Sequence, residues 1–399
     1  MTRVAPVLAA AALLGPALLP GLLPSATAGP ATLSTVIVTL APTSPAPAAV
    51  AALTAPITGP LGGRVTHVYT AALRGVAVTV PTAALGTAVP ALRRLPGVTA
   101  VERSRPVAVQ GTQRPTPSYG LDRIDQRALP LSRTFRYART GAGVTAYVVD
   151  TGVNLGHRDL AGRVASGLDV IDGGRADDCN GHGTHVAGTL AGTSYGVAKR
   201  AKVVAVRVLD CEGSGETAGV IAGLDWVVRH HAPGVPAVAN LSLGGGASAA
   251  LDKAVERVIA DGVTVALAAG NEGGLLGSLT GAQDACSSSP GRVAAALTVG
   301  ATDADDARAS YSSIGRCLDL FAPGTDIVSA WIGSPTAAAT LSGTSMATPH
   351  VAGVAALVLE RSPKATPAQV GAAVLRGSTP GVVDSPGSGS PSRLVFSGA

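Results

Sequence analysis

The stretch "VTAYVVD", residues 144–150, is apolar apart from Thr145 and closes on a carboxylate. A strand with one wet face alternates apolar and polar residues, whereas a strand covered on both faces reads as a continuous apolar run. Residues 144–150 are therefore expected inside a sheet that carries helices on both sides. Outward from this stretch the chain alternates. "HVAGTLAG" (185–192) reads as helix, "KVVAVRVL" (202–209) as strand, "TAGVIAGLDWVVRHH" (217–231) as helix and "AVANLSL" (237–243) as strand. "ALDKAVERVIADG" (250–262) is a further helix and "VTVALAAG" (263–270) and "AALTVGA" (295–301) are strands; helices near 345–360 and 367–376 and a last strand in "RLVFSG" complete the series. Strands separated by helices of this length imply an α/β domain around a mostly parallel sheet. Ligands in such sheets bind outside the carboxyl ends of the strands.

Four residues stand at such ends or at a helix mouth. Asp150 ends the first strand, where it is either a strand-ending turn or a placed carboxylate. "CNGHGTHVAGT" (179–189) puts His182 just before a helix start, with His185 three residues later. A zinc-protease helix needs two histidines at i and i+4 with a glutamate between them, and neither condition holds here. Asn271, in "VTVALAAGNEGG" (263–274), suits a turn or an outward-pointing amide. Ser345, in "SGTSMATPHVAG" (342–353), opens a run of small apolar residues. That stretch fits a plain helix start with Pro349 in its first turn, or a presented nucleophile. Taken together they form a set. Serine needs a base to remove its proton during attack, histidine titrates near neutrality, and a carboxylate holds the imidazole tautomer. Asn271 and the Ser345 N–H at a helix N-terminus could then receive the developing oxyanion.

The composition permits a large core. The chain has 399 residues, 46% apolar and 14% charged, so it is a folding sequence with room for about two domains. Aromatics are only 3%, so Ala, Val, Leu and Gly must fill the interior. The net charge is +5 with scattered arginines and no basic stripe, which argues against nucleic-acid binding. Residues 1–28 read as a secretory signal: Arg3, an apolar run interrupted by Pro16, Pro20 and Gly21, then Ala26-Thr27-Ala28. No other stretch is long and apolar enough to span a bilayer. In an exported protein, Cys179, Cys211, Cys286 and Cys317 point to disulfides with three possible connectivities. Sequence order suggests Cys179 with Cys211 and Cys286 with Cys317, each closing a loop worth roughly 3 to 4 kcal/mol. A zinc site is the alternative, without a C-x-x-C pair to support it.

Between the signal and the α/β domain, residues 34–109 read as β-α-β-β-α-β. "STVIVTL" (34–40), two strands in 63–81 and a last strand in 98–110 surround helical segments at 48–54 and 83–95. That order describes a small α+β ferredoxin-like domain. "GTQRPTPSYG" (111–120) follows as a linker.

The motifs "VVDTGV", "NGHGTHVAGT" and "SGTSMATPHVAG", in the chain order Asp, His, Ser, resemble the subtilisin-like serine proteases, and "NLSLGGG" and "AAGN" agree. "LDRIDQRALPLS", "YGVAK", "VRVLDCEGSG" and "ARASYSSIGRCLDLFAPG" narrow the likeness to the proteinase K branch, with its disulfide-bearing, aqualysin-like bacterial members. The resemblance implies a three-layer subtilisin-like fold over 112–399 and an inhibitory, chaperone-type propeptide over 29–111. It implies Asp150 as orienting acid, His182 as general base, Ser345 as nucleophile, Asn271 as oxyanion donor and His185 as a structural histidine. Ser242-Leu243-Gly244 and Gly213-Ser214-Gly215 match the two edges that hold substrate as an added strand. Ala268-Ala269-Gly270 would line the S1 pocket and leave room for large apolar side chains, and Thr217 would leave S4 open.

The family pattern also supports the two sequential disulfides. It implies no catalytic cofactor but structural calcium, at Asp122, Asp125 and Gln126 and at Asp319 with the carbonyls of Ala294 and Ala296. Asp172 and Asp177 are weaker candidates. The implied protein is a secreted, monomeric endopeptidase, not membrane-bound when mature. It would act on proteins and peptides, be inhibited by its own propeptide, and process itself near Gln110, Gly111 or Thr112. The competing readings are a pseudoprotease that binds peptide without cutting it, and a metal-dependent hydrolase using His182 and His185.

Overall fold

A computed structural model of the chain describes residues 32–42, 55, 59–104, 106–109, 112–113, 119–271 and 283–398. The proposed signal (1–28), the helical segment expected at 48–54 and the residues Gln110 and Gly111 lie outside the described residues. The described residues from Leu33 onward pack as one unit.

A nine-stranded sheet forms its centre. From one edge the strands run Val164–Asp169, Lys202–Arg207, Thr145–Asp150, Ala237–Leu241, Thr264–Ala268, Leu297–Thr302, Leu320–Pro323, Arg393–Leu394 and Thr379–Pro380. Every neighbouring pair is parallel except the last, which is antiparallel. Strand Thr145–Asp150 is interior, third from that edge, with Ala146 opposite Val203 on one side and Val238 on the other. Alternate side chains of a strand point to opposite faces. Accordingly Ala146 and Val148 join one core with the helices His182–Ala191, Thr344–Arg361 and Pro367–Gly377. Tyr147 and Val149 join a second core with the helices Thr217–His230 and Ala249–Ala260. The fold is thus a three-layer α/β sandwich. By the same alternation Asp150 falls on the face of Ala146 and Val148, the layer that holds both His182 and Ser345.

The helix Thr344–Arg361 is buried around nearly its whole girth, which explains its nearly uniform apolar sequence. Pro349 lies beyond its first turn, not in it as the sequence suggested. The strands Val164–Asp169, Ile327–Ala330 and Ala338–Ser342 were not expected from the sequence.

The N-terminal part forms an antiparallel four-stranded sheet in the order Arg64–Tyr69, Gly75–Pro81, Leu33–Leu40, Val98–Arg103. One face, with Val36, Val38, Val76 and Val78, packs on the helix Leu85–Arg93. The other face, with Ile37, Tyr69 and Ala77, packs into the core shared with Ile221 and Leu224. The single strand expected over 98–110 is in fact two. It breaks after Arg103, and Pro106–Val109 leaves the sheet to join different strands.

Candidate active site

His182 starts its helix and Ser345 is the second residue of another, and these two helices pack against each other. Two glycines let the His182 helix close on the sheet. A Cβ at Gly183 would lie 2.1 Å from the Gly152 carbonyl oxygen and 3.1 Å from Asp150 Cβ. Gly181 has φ +108°, and a Cβ there would meet the Trp331 ring at 2.5 Å. With both in place, His182 Nδ1 meets Asp150 Oδ1 at 2.7 Å. Both side chains are buried. Thr151 N–H donates to the same Asp150 oxygen at 2.8 Å. A donor facing Asp150 leaves the neutral imidazole protonated on Nδ1, with Nε2 as its basic nitrogen.

Ser345 is tied to Ser242 in both directions. Its hydroxyl donates to the Ser242 carbonyl at 3.1 Å, and Ser242 Oγ donates to the Ser345 carbonyl at 2.8 Å. The second bond has a cause in the helix. Pro349 has no N–H to return to the carbonyl four residues earlier, so the Ser345 carbonyl accepts a side-chain hydroxyl instead. Asn240 Nδ2 donates in turn to Ser242 Oγ at 2.9 Å. Asn271 Oδ1 accepts from Thr344 N–H at 2.9 Å and Thr344 Oγ1 at 2.8 Å. A backbone N–H can only donate, so the atom facing it is the amide oxygen and Nδ2 points away. The Ser345 N–H has no acceptor among the described residues.

The expected edges flank this site, and both already carry a strand. Pro106–Val109 lies antiparallel between Ser214–Glu216 and Leu243–Gly246, with Ala108 opposite Ser214 and Gly244. Gly213 stands outside the edge, in a turn with φ +76°. Ser242 precedes the other edge and serves Ser345 instead. A third edge was missed by sequence reasoning: Ala338–Ser342 pairs with Thr112–Gln113, with Ser342 opposite Thr112. Its Ala-rich sequence offers little strand signal. Ala268 and Ala269 are buried at the end of strand Thr264–Ala268, and Gly270 follows with φ +102°. Thr217 is buried as the first residue of its helix.

His185 does not face a ligand position. Its Nε2 bonds the Ile327 carbonyl at 2.9 Å, and burial pushes its pKa down to about 3, so it is neutral. Cys179 is bonded to Cys211 and Cys286 to Cys317, with Cα–Cα distances of 5.0 and 5.3 Å. The first bond joins the loop before His182 to the loop before Ser214. The four sulfurs are therefore not zinc ligands.

The other proposed metal ligands fall in two places. Asp122 accepts from Ser132 N–H, Ser132 Oγ and Arg133 N–H, Asp125 accepts from Arg136 N–H, and Gln126 bonds Ala128, Pro130 and Ser132. These three side chains clasp the 126–136 loop, and a cation would have to displace N–H donors from them. At Asp319 burial lifts the pKa to about 6, and one oxygen accepts Thr298 N–H at 2.8 Å. Ala296, two residues before Thr298, is buried, and Ala294 is exposed. Asp172 pairs with Arg207 at 2.6 Å, and Asp177 accepts Leu155 N–H at 3.2 Å.

Residues 141–392 match the family model described as the subtilase family. The chain is 56% identical over 336 residues to an extracellular serine proteinase of Thermus sp. (strain Rt41A), spanning 84% of this chain and 78% of that one. It is 50% identical over 313 residues to alkaline serine exoprotease A of Vibrio alginolyticus, spanning 77% of this chain and 56% of that one. A crystal structure of a cold-adapted subtilisin-like serine proteinase aligns with a TM-score of 0.66 at 51% identity, over 70% of this chain and 98% of that chain.

Proposed function

The chain belongs to the subtilase family and is a serine peptidase, and from that footing we propose that it cuts internal peptide bonds through an acyl-enzyme on Ser345. The observation that carries this reading is the buried 2.7 Å contact between His182 Nδ1 and Asp150, at the start of a helix packed against the one that carries Ser345. In the proposed cycle the Ser345 hydroxyl turns from the Ser242 carbonyl toward His182 Nε2. It loses its proton there as Oγ attacks the substrate carbonyl. Asp150 holds the imidazole and stabilises the imidazolium. The oxyanion receives the Asn271 Nδ2–H and Ser345 N–H donors, the first of which is worth about 10²- to 10³-fold in rate. His182 returns the proton to the leaving amine, and water then hydrolyses the ester. All reacting groups are the chain's own, so the chemistry calls on no cofactor.

Substrate would lie where Pro106–Val109 lies, as an added strand between Ser214–Glu216 and Leu243–Gly246. Ala268, Ala269 and Gly270 leave S1 space for a large apolar or aromatic P1 residue, and Thr217 leaves S4 open. The same placement supports self-processing. Val109 is opposite Leu243, next to the serine that holds Ser345 Oγ, and Thr112 is opposite Ser342, three residues before Ser345. The cut would therefore fall close to Gln110, Gly111 or Thr112. The 29–111 segment would be a propeptide that stays bound as inhibitor over the 112–399 catalytic domain. Export through residues 1–28 agrees with the extracellular relative, and no helix among the described residues is long and apolar enough to cross a membrane. A secreted monomer is the proposed mature form. Structural calcium is proposed at Asp319 with the Ala294 and Ala296 carbonyls, and less strongly at Asp122, Asp125 and Gln126.

The test is Ser345→Ala in the full chain, with mass spectrometry of the product. Unprocessed precursor is expected, against two fragments from the unaltered chain. Processing at the normal rate in the variant, without added protease, would overturn the proposal. In the unaltered chain a serine-reactive phosphonyl fluoride should abolish cleavage, while a strong chelator should not do so within minutes. The opposite pattern would favour the metal-dependent reading, and peptide binding without cleavage the pseudoprotease.

A further inference from the structure

Asp178 is a carboxylate on the loop before His182, and five donors converge on it. Its Oδ1 accepts from Thr151 Oγ1 at 2.9 Å, Asn180 N–H at 3.0 Å and Gly181 N–H at 2.9 Å. Its Oδ2 accepts from Thr184 N–H at 2.9 Å and Thr184 Oγ1 at 2.6 Å. The network extends one bond further on each side. Thr151 Oγ1 accepts Gly183 N–H at 2.9 Å, and Thr184 Oγ1 accepts Asn154 N–H at 2.8 Å. One carboxylate therefore grips the residue after Asp150, the two residues before His182 and the first turn of the His182 helix.

We infer that Asp178 is a positioning residue: it fixes the strand end that carries Asp150 relative to the helix start that carries His182. This rests on the reading of Asp150, His182 and Ser345 as the reacting groups. The physical case has two parts. The first N–H groups of a helix have no intrahelical acceptor, and here Asp178 and Thr151 supply acceptors for Gly183 and Thr184. Hydrogen bonds to a charged acceptor are stronger than neutral ones, so this clasp is stiffer than a hydroxyl cap would be. A neutral amide of the same shape cannot replace it. With every partner a donor, the NH₂ end of an asparagine would face N–H or O–H groups on one side or the other.

Asp178 accepts Gly181 N–H and Thr184 N–H, so its charge lies in the turn that carries the His182 imidazole. The other charged or titratable groups around it are Asp150 on the strand, His185 on the same helix, Asp177 beside the loop, and Arg207 across the disulfide. His185 is neutral, and Arg207 is matched by Asp169 at 2.9 Å and Asp172 at 2.6 Å. Burial raises the Asp178 carboxyl, and its hydrogen bonds to Thr184, Gly181 and Thr151 oppose that shift.

The test compares Asp178→Asn and Thr151→Val in the full chain, after maturation, on a peptide amide substrate. Thr151→Val removes the hydroxyl bridge but keeps the carboxylate. Competent sites are counted with a fluorophosphonate and folding is followed by circular dichroism. In Asp178→Asn, kcat per competent site should fall roughly 10- to 100-fold with KM within twofold, as for a displaced catalytic group. The acid limb of the kcat/KM profile should move to lower pH by about half a unit, because a negative charge near the imidazole is gone. In Thr151→Val, kcat should fall about fivefold with the limb in place, since the hydroxyl that links Asp178 to Gly183 N–H is lost while the carboxylate stays. A purely structural role would lower the number of competent sites and leave kcat per site and the limb unmoved, and that result overturns the inference. If Asp178→Asn does not fold, an unchanged kcat in Thr151→Val overturns it equally. Cleavage that survives Ser345→Ala would instead overturn the underlying assignment of the reacting groups.

Discussion

Asp225, on the helix Thr217–His230, offers a quantitative handle on how the N-terminal unit is held. Its Oδ1 accepts three consecutive backbone N–H groups, from Thr70 at 2.8 Å, Ala71, and Ala72 at 2.9 Å. Its Oδ2 pairs with Arg229 at 3.1 Å. The carboxylate is 1% exposed, so water does not compete for it. Hydrogen bonds to a charged acceptor contribute about 1.5–3 kcal/mol each, and removing the acceptor leaves buried N–H groups unpaired. Because the three share one oxygen their effects do not add, and a total of about 3–5 kcal/mol is expected for Asp225→Ala. If the chain is cut as proposed, that corresponds to a complex weaker by roughly 10²-fold to a few thousandfold. The assay is the lag before peptide-cleaving activity appears in freshly processed enzyme, with the bound fragment followed by gel filtration. Asp225→Ala should shorten the lag and lose the fragment from the complex. Asp225→Asn should fall between, since its amide oxygen can still accept. A lag and fragment retention within threefold of the unaltered chain, with normal kcat in the mature variant, would refute the claim that this carboxylate holds the unit. Glu102 and Ser104 cap the helices Ala249–Ala260 and Thr217–His230 from the same unit, and would then be the contacts to examine.

Two further outcomes are expected. Burial lowers the pKa of His185 to about 3 and of His350 to about 4, so the unfolded chain binds more protons than the fold between those values and about pH 6.5. Their contribution is complete above pH 6.5 and is lost as pH falls, by about 2 kcal/mol each at pH 5. Asp319, lifted to about 6, works in the opposite direction, so the readout is the difference between chains. Urea unfolding of the Ser345→Ala chain at pH 7.5 and 5 should show a pH effect smaller by about 2 kcal/mol when His350→Gln is added, and an equal effect in both chains would contradict it. If calcium binds at Asp319, saturating calcium should raise the melting temperature of the Ser345→Ala chain, and Asp319→Asn should remove most of that rise. A rise that survives Asp319→Asn would place the ion elsewhere.

Much of the architecture was legible because it depends on local pattern. Residues 146–149 are apolar without a break because both faces are covered, and the helices expected at 185–192 and 250–262 follow from their own periodicity, although the first begins three residues earlier, at His182. Strands whose sequence is not apolar were missed. Val164–Asp169 sits at the sheet edge, and Ala338–Ser342 is held by pairing with Ile327–Ala330 and Thr112–Gln113, not by its own composition. The break after Arg103 was illegible for a related reason. Pro106–Val109 is a strand only because two remote edges accept it. The role of Asp178 escaped notice because an Asp before an Asn-Gly turn reads as ordinary loop chemistry; its five donors come from both sides of a contact closed in three dimensions.

What the sequence alone determined is the layer order, the strand-end position of Asp150 and the chemical types at 182, 271 and 345. These follow from side-chain periodicity and residue chemistry, which act over a few neighbours. Tertiary structure decided which of those groups meet: that Asp150 reaches His182 and not His185, that Ser242 restrains Ser345, and that one carboxylate at Asp178 locks strand to helix. Such contacts depend on where distant backbone segments converge, and on glycines such as Gly183 that let them approach. A distance between residues 32 positions apart is a property of packing, and no local pattern records it.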